Sequence, residues 1–194
     1  MLNWIKKLFI RPRIWVISDT HFFHRNIIKY DELPFRDENE MTTRLIELWN
    51  KCVKPKDIII HLGDFGFGNK EKLRDIAGRL NGYKILILGN HDRHSKSFFR
   101  SIFNEVYNGY YQLKYQNRTI YFLHNPNKIT QCGLSKEKDY IVYGHIHKNY
   151  LTDWPLENTF CACISHIGFA PVRLDKIIGV WDEKEKAKKS CGEF

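Results

Sequence analysis

Short apolar runs alternate with longer amphipathic segments through the first half of the chain. Residues 13–18, 57–61 and 83–88 are short apolar runs of the kind that form buried strands. Between these runs, residues 38–53 and 70–80 carry apolar side chains at a helical period. This alternation of strand and helix predicts an α/β domain.

The second half of the chain contains mainly strand-like segments. Residues 95–103 are expected to be helical, whereas residues 110–115 and 119–123 have the pattern of a hairpin that turns at Gln116-Asn117-Arg118. Four further segments are interpreted as strands: 140–143, 160–164, 172–174 and 177–181. Alternating strands and helices followed by hairpin-like strands indicate a layered α/β domain with mixed sheets.

Polar side chains that can bind metal ions follow five of the predicted strands. In chain order these clusters are Asp19-Thr20-His21, Gly63-Asp64, Gly89-Asn90-His91-Asp92, His124-Asn125-Pro126 and Gly144-His145-Ile146-His147. Ligand sites in α/β sheets form outside the carboxyl ends of strands, so the clusters are expected to converge on one crevice. Their oxygen and imidazole donors suit manganese, iron, zinc or nickel. The glycines before Asp64, Asn90 and His145 are expected to let the backbone turn sharply beneath a metal ion.

The five clusters resemble the signature of the calcineurin-like metallophosphoesterases. That signature is Asp-x-His, Gly-Asp, Gly-Asn-His-Asp/Glu, a lone His and Gly-His-x-His, and this chain has all five blocks in that order between residues 19 and 147. The chain is most similar to the small single-domain bacterial and phage members. The resemblance implies a four-layer α-β-β-α sandwich with two mixed sheets, formed by one domain over residues 1–194. Residues 1–12 would be a basic N-terminal extension, and residues 183–194 a polar tail.

The resemblance also implies a role for each site residue. Seven side chains would bind metal: Asp19, His21 and His147 on one ion, Asn90, His124 and His145 on a second, and Asp64 between them. Asp64 would bridge the two ions through its two carboxylate oxygens. His91 would be the general acid, oriented by Asp92. His24 is expected to contact the substrate, with a surface histidine as the alternative.

This ligand set predicts a hydrolase of phosphate esters that uses two divalent transition-metal ions, with manganese favoured over iron, zinc or nickel. Two cations roughly 3.5–4 Å apart would activate water and clamp an in-line displacement at phosphorus. A departing alkoxide needs a proton, which an imidazole with a near-neutral pKa can donate. The expected activity is that of a phosphodiesterase acting on a nucleotide or another small phosphodiester. Phosphomonoesterase, nuclease and a non-catalytic scaffold of the same fold are the alternatives.

Composition and cysteine content indicate the charge of the expected binding partner and the expected cellular compartment. The formal net charge is +9 and the isoelectric point is about 9.3, which suits an anionic substrate or nucleic acid without identifying either. Five cysteines at spacings that match no disulfide framework, with no secretory signal, predict a reducing, cytoplasmic setting. No apolar run approaches the roughly 18 residues that a transmembrane segment needs.

Three other residues have a structural interpretation. His61 lies within an apolar strand and is interpreted as a core histidine. Cys161 and Cys163 would face the same side of a strand. Core packing is the favoured interpretation for both cysteines, because no second cysteine pair completes a zinc site.

Overall fold

Nine strands and six α-helices are found in residues 12–135, 138–147 and 158–191, the parts of the chain that the computed structural model describes. In chain order they are β1 (Ile14–Ile17), α1 (Arg25–Tyr30), α2 (Glu38–Cys52), β2 (Ile58–His61), α3 (Lys70–Arg79), β3 (Tyr83–Ile87), α4 (Lys96–Arg100), β4 (Glu105–Tyr107), β5 (Tyr110–Tyr115), β6 (Arg118–Leu123), β7 (Tyr140–Tyr143), β8 (Thr159–Cys161), α5 (Ile164–Ile167), β9 (Val172–Arg173) and α6 (Leu174–Cys191). Two short 3-10 turns, Pro126–Lys128 and Thr130–Cys132, follow β6.

The strands form two mixed sheets. The first has the order β4-β3-β2-β1-β9, in which β1 to β4 are parallel and β9 is antiparallel to β1. The second has the order β5-β6-β7-β8, in which β5 and β6 form an antiparallel hairpin and β6, β7 and β8 are parallel. The predicted α/β class with two mixed sheets is therefore confirmed.

Alternate residues of β1 face two different cores, because successive side chains of a strand point to opposite faces. Trp15 and Ile17 belong to the core that also contains Trp49 of α2. Val16 belongs to a second core, which it shares with Phe122 of β6 in the other sheet. Burial on both faces explains why β1, β2 and β3 of the first sheet are near-continuous apolar runs.

The structure corrects the prediction for the C-terminal segment. The predicted strand at 177–181 is part of α6, in which Leu174, Ile177, Ile178 and Trp181 are at most 2% exposed and are spaced as on one helix face. A five-residue window is too short to separate this period from an apolar strand. Residues 183–191, predicted as a polar tail, continue the same helix.

Some predictions fall on residues outside the described ranges. These are the N-terminal extension up to residue 11 and the last three residues of the predicted tail. Among the described helices, none has both the length and the apolar character that crossing a membrane requires.

Candidate metal centre

The carboxyl ends of strands from both sheets meet at one edge of the molecule. Asp19 follows β1 and accepts a hydrogen bond at Oδ2 from the backbone N–H of His145, which follows β7 (2.9 Å). His124, which follows β6, lies with Nδ1 2.8 Å from the backbone carbonyl oxygen of Leu62, just after β2. These contacts join the two sheets at the polar clusters, so residues that are far apart in the chain face one another.

We call Asp19, His21 and His147 the first ligand group. One possible ligand atom from each side chain lies within 4.8 Å of the other two. Asp19 Oδ1 is 3.9 Å from Nε2 of both His21 and His147, and it has no hydrogen-bond partner. Both ring nitrogens of His21 are also buried without a partner. Asp19 Oδ1 and one nitrogen from each histidine therefore face one another without hydrogen-bond partners for Asp19 Oδ1 and His21, an arrangement that suits a cation.

We call Asp64, His124 and His145 the second ligand group. One possible ligand atom from each of these side chains also lies within 4.8 Å of the other two, and Asn90 lies beside them. A carbonyl oxygen can only accept, so Nδ1 of His124 carries the proton that contacts Leu62, and Nε2 is the ring nitrogen that faces the other donors. That Nε2 is 2.7 Å from Asn90 Oδ1, 3.2 Å from His145 Nδ1 and 3.5 Å from Asp64 Oδ2. A set of converging lone pairs fits a bound cation.

Asp64 lies between the two ligand groups. Its Oδ2 is 3.8 Å from Nε2 of His21 and 3.5 Å from Nε2 of His124, and it is buried without a hydrogen-bond partner. Its Oδ1 instead accepts a hydrogen bond from the backbone N–H of His91 (2.8 Å). Oδ2 therefore faces both ligand groups, whereas Oδ1 also accepts a backbone hydrogen bond, and a bridge through both carboxylate oxygens stays a prediction.

Burial shifts the pKa of three of these side chains in the absence of metal. It lowers the pKa of His21 to about 3 and that of His145 to about 4, so both rings are neutral near pH 7. Neutral imidazole is the form that binds metal ions. Burial also raises the pKa of Asp64 to about 6. A buried polar atom without a partner costs about 1–3 kcal/mol, and a cation in each group would supply the missing partners. The residues therefore fit divalent metal ions.

The glycines before Asp64, Asn90 and His145 allow neighbouring atoms to approach the backbone more closely than a side chain would permit. A Cβ on Gly89 would lie 2.2 Å from Asp64 Oδ1, and one on Gly144 would lie 1.9 Å from Ser18 Oγ. Of the three glycines, Gly63 is the one with a left-handed backbone, at φ +96°. The expectation that all three provide sharp turns is corrected, since two of them are needed to let a neighbouring side chain approach the backbone.

His91 and Asp92 lie beside the groups, but not in the predicted relation. The carboxylate of Asp92 accepts hydrogen bonds from the backbone N–H groups of Gly89 (2.8 Å), Asp64 and Phe65 (both 2.9 Å). Nδ1 of His91 has no hydrogen-bond partner. Asp92 makes no hydrogen bond to the His91 ring in this structure. It holds together the two loops that carry Asp64 and Asn90, and its role in orienting His91 stays a prediction.

His24 lies at the rim of the first ligand group. Its ring stacks on Phe67 at 3.9 Å and 14°, and its centroid is 5.5 Å from that of His21. Phe67 is also 5.2 Å from the His91 ring, and the guanidinium of Arg93 is 6.0 Å from the Phe67 centroid. His24, Phe67 and Arg93 therefore form a rim of aromatic and basic side chains, which we call the aromatic rim.

A cavity adjoins the second ligand group on the other side of the site. It has a volume of about 130 Å³, and its lining includes Asn90, His124, Asn108, Asn125, Lys128 and Cys132. None of its lining residues is acidic. We call it the amide pocket, after its three asparagines. Sequence reasoning found neither this pocket nor the aromatic rim, because both are assembled from separate loops.

Asp31 is a further residue that the sequence did not single out. Its Oδ2 lies 2.5 Å from Nδ1 of His147 in the first ligand group. A single acidic residue at the end of a six-residue helix carries no signal of such a contact.

The residues that were interpreted as structural lie outside both groups. His61 is 1% exposed and contacts Thr20 Oγ1 through Nε2 at 2.9 Å, as expected for a core histidine. Cys161 and Cys163 are free thiols, and neither belongs to a ligand group.

The chain was compared with known families and structures. Residues 13–157 match the family model of the calcineurin-like phosphoesterase superfamily domain. An uncharacterized protein of Methanocaldococcus jannaschii is 36% identical over 172 residues, which cover 86% of this chain and 89% of that protein. The Gene 66 protein of Mycobacterium phage D29 is 35% identical over 83 residues, 41% of this chain and 40% of that protein.

One solved structure has a similar fold. A protein of unknown function from Aquifex aeolicus has a TM-score of 0.71 at 26% identity, and the match covers 87% of this chain and 99% of that one. The family match, together with the two ligand groups at the strand ends, leads to one conclusion. The chain belongs to the calcineurin-like phosphoesterase superfamily and is a metal-dependent phosphoesterase.

Proposed function

We propose that this protein is a phosphodiesterase that uses two divalent metal ions, one in each ligand group, and acts on a nucleotide or another small phosphodiester. The observation that carries the proposal is the position of Asp64 Oδ2, which is buried, unpartnered and within 3.8 Å of histidines from both groups. One carboxylate oxygen between two sets of donors is what a two-metal site requires. When bound, such ions activate water and neutralise the phosphoryl oxygens.

His91 is the residue that we propose as proton donor to the leaving oxygen. Its half-buried ring is 5.9 Å, centroid to centroid, from His21 of the first ligand group. Nδ1 makes no hydrogen bond to the protein, so its hydrogen-bonding capacity is not used by another protein group. The backbone of the same residue donates to Asp64 Oδ1, which places His91 directly beside the proposed bridging carboxylate.

The surfaces on either side of the site favour a diester over a monoester. A phosphodiester carries two organic groups on phosphorus, and the site has two separate surfaces that can contact them. The aromatic rim beside the first ligand group suits stacking of a base and attraction of an anion. The amide pocket beside the second group offers hydrogen bonds and the positive charge of Lys128. Nucleotides combine these features, which is why we propose them as the substrate class.

The choice of metal and the cellular setting are part of the same proposal. The donors are carboxylate and amide oxygens with imidazole nitrogens, and neither ligand group contains a thiolate. Such a mixed set suits manganese, with iron, zinc and nickel as alternatives. Cys52, Cys132, Cys161 and Cys163 are free thiols, in keeping with the proposed reducing, cytoplasmic setting.

Metal titration tests the two-ion proposal directly. Protein stripped with a chelator is loaded with manganese, iron, zinc or nickel in turn, and the bound metal is measured by elemental analysis. We expect two ions per chain. A plateau at one ion per chain would overturn the two-metal proposal while leaving the family assignment intact.

Substrate comparison tests the phosphodiesterase proposal. Loaded protein is assayed on bis(p-nitrophenyl) phosphate and p-nitrophenyl phosphate, then on cyclic nucleotides, dinucleotides, nucleoside monophosphates and single-stranded nucleic acid. We expect the diesters to be hydrolysed faster than the monoesters, and small nucleotides faster than polymers. Preference for monoesters would support the phosphomonoesterase alternative, and preference for polymers the nuclease.

A further inference from the structure

The Asp31 side chain is buried, and its contact is with a residue of the first ligand group. Asp31 follows α1 and is 4% exposed. Its Oδ2 lies 2.5 Å from Nδ1 of His147, across 116 positions of the chain. A buried carboxylate is costly unless it is paired, and in this structure its partner is the His147 ring.

The same ring also faces the first ligand group. Nε2 of His147 is 3.9 Å from Asp19 Oδ1, the unpartnered oxygen of that group. A neutral imidazole carries its proton on one nitrogen, and the hydrogen bond at that nitrogen decides which one it is. A carboxylate can only accept, so the contact with Asp31 selects the tautomer that has its proton on Nδ1.

His124 provides an internal comparison in the second ligand group. There a backbone carbonyl, that of Leu62, accepts from Nδ1 and leaves Nε2 for the ligand position. The first ligand group reaches the same arrangement with a carboxylate that comes from a helix outside the sheets. A carboxylate also makes the ring a stronger metal ligand than a neutral acceptor does.

We propose that Asp31 is a positioning residue that holds His147 in its Nδ1–H tautomer and so tunes the affinity of the first ligand group for its metal ion. The proposal rests on the proposed metal role of His147. It assigns to Asp31 no contact with substrate. Its effect is therefore expected on one of the two ions and not on both.

Metal affinity is the first measurement. In Asp31→Ala we expect one of the two ions to bind about 10–100-fold more weakly, with the other unchanged, as measured by competition with a chelator. Asp31→Asn keeps an acceptor oxygen and loses the charge, so its affinity should lie between those of Asp31→Ala and the wild type. Asp75→Ala, which alters an exposed ion pair on α3, is the matched control and should bind both ions as the wild type does.

Nitrogen-15 NMR of the metal-free wild-type protein is the second measurement, and it requires neither activity nor a folded variant. At a pH where His147 is neutral, we expect its proton on Nδ1. A proton on Nε2 would overturn the proposal, as would unchanged affinity for both ions in Asp31→Ala and Asp31→Asn. If the wild-type protein bound no second ion, the proposed function would fail while the tautomer measurement still decided the role of Asp31.

Discussion

The first ligand group is supported by a side chain from outside the sheets, whereas the second is supported by the main chain. In the first, the carboxylate of Asp31 contacts His147. In the second, the carbonyl of Leu62 contacts His124, and the N–H of His91 contacts Asp64. A single substitution can therefore remove the contact that supports His147, while the contacts of His124 with Leu62 and of Asp64 with His91 change only if the backbone moves.

The largest effect is expected from Asp64→Asn, because this side chain faces both groups. The amide loses the negative charge and offers only one oxygen, and that oxygen is needed by the His91 N–H. We expect both ions to be lost and turnover to fall by more than the roughly 100-fold that loss of a supporting contact causes. Elemental analysis and turnover at saturating metal check this, and substantial turnover in the variant would contradict a shared ligand.

The same variant has a pH-dependent effect on the metal-free protein. The pKa of Asp64 is raised from 3.8 to about 6 by burial, so the folded state resists its ionisation. The stability associated with the protonated carboxyl is complete below pH 4 and is lost as the pH rises through 6. We therefore expect Asp64→Asn to raise the melting temperature of metal-free protein at pH 8 and to change it little at pH 4. Equal shifts at both pH values would contradict this.

His91→Ala should leave both ligand groups intact and lower the rate, since alanine keeps the backbone N–H that contacts Asp64. General acid catalysis contributes roughly 10²–10⁴-fold. We expect a loss of that size on a nucleotide diester, whose alkoxide is a poor leaving group, and a much smaller loss on bis(p-nitrophenyl) phosphate. Paired kinetics with metal analysis check this. Equal losses on both substrates would indicate that His91 binds phosphate, and loss of metal would place it among the ligands.

Gly89→Ala tests the main-chain support of Asp64. The added Cβ would lie 2.2 Å from Asp64 Oδ1 and 2.5 Å from its backbone nitrogen, an overlap that backbone shifts must relieve at about 1–3 kcal/mol. We expect weaker metal binding and a lower free energy of unfolding in chemical denaturation. Gly78→Ala on α3 is the control, because nothing lies within 4 Å of its Cβ position. That control should be more stable by about 0.5–1 kcal/mol.

The smallest effects are expected at the two flanking surfaces. His24→Ala alters the aromatic rim beside the first ligand group, and Lys128→Ala alters the amide pocket beside the second. We expect each to raise KM for a nucleotide diester about two- to fivefold, as loss of an exposed contact does, with kcat and metal content unchanged. Lys114→Ala on β5, away from both surfaces, is the control. An unchanged KM in both variants would remove these surfaces from substrate binding.

Much of the fold could be predicted from local patterns. Strands β1, β2 and β3 of the first sheet have side chains buried on both faces, so each is an apolar run that a short window detects. The prediction was wrong for the first half of α6, because a five-residue window around Ile177, Ile178 and Trp181 is too short to separate a helical stripe from an apolar strand. The family was predicted correctly, since its signature is a series of short motifs whose residue types and order are visible in the chain.

The sequence by itself determined which donors are present and that they follow strand ends, because strand formation and residue identity are properties of neighbouring residues. Only the tertiary structure decided what each donor contacts. Asp92 holds backbone N–H groups and not His91, Asp64 has one free oxygen and not two, and Asp31 reaches His147. The physical reason is distance along the chain: a hydrogen bond across 116 residues depends on how two sheets and a helix pack, and no local pattern of residues encodes that packing.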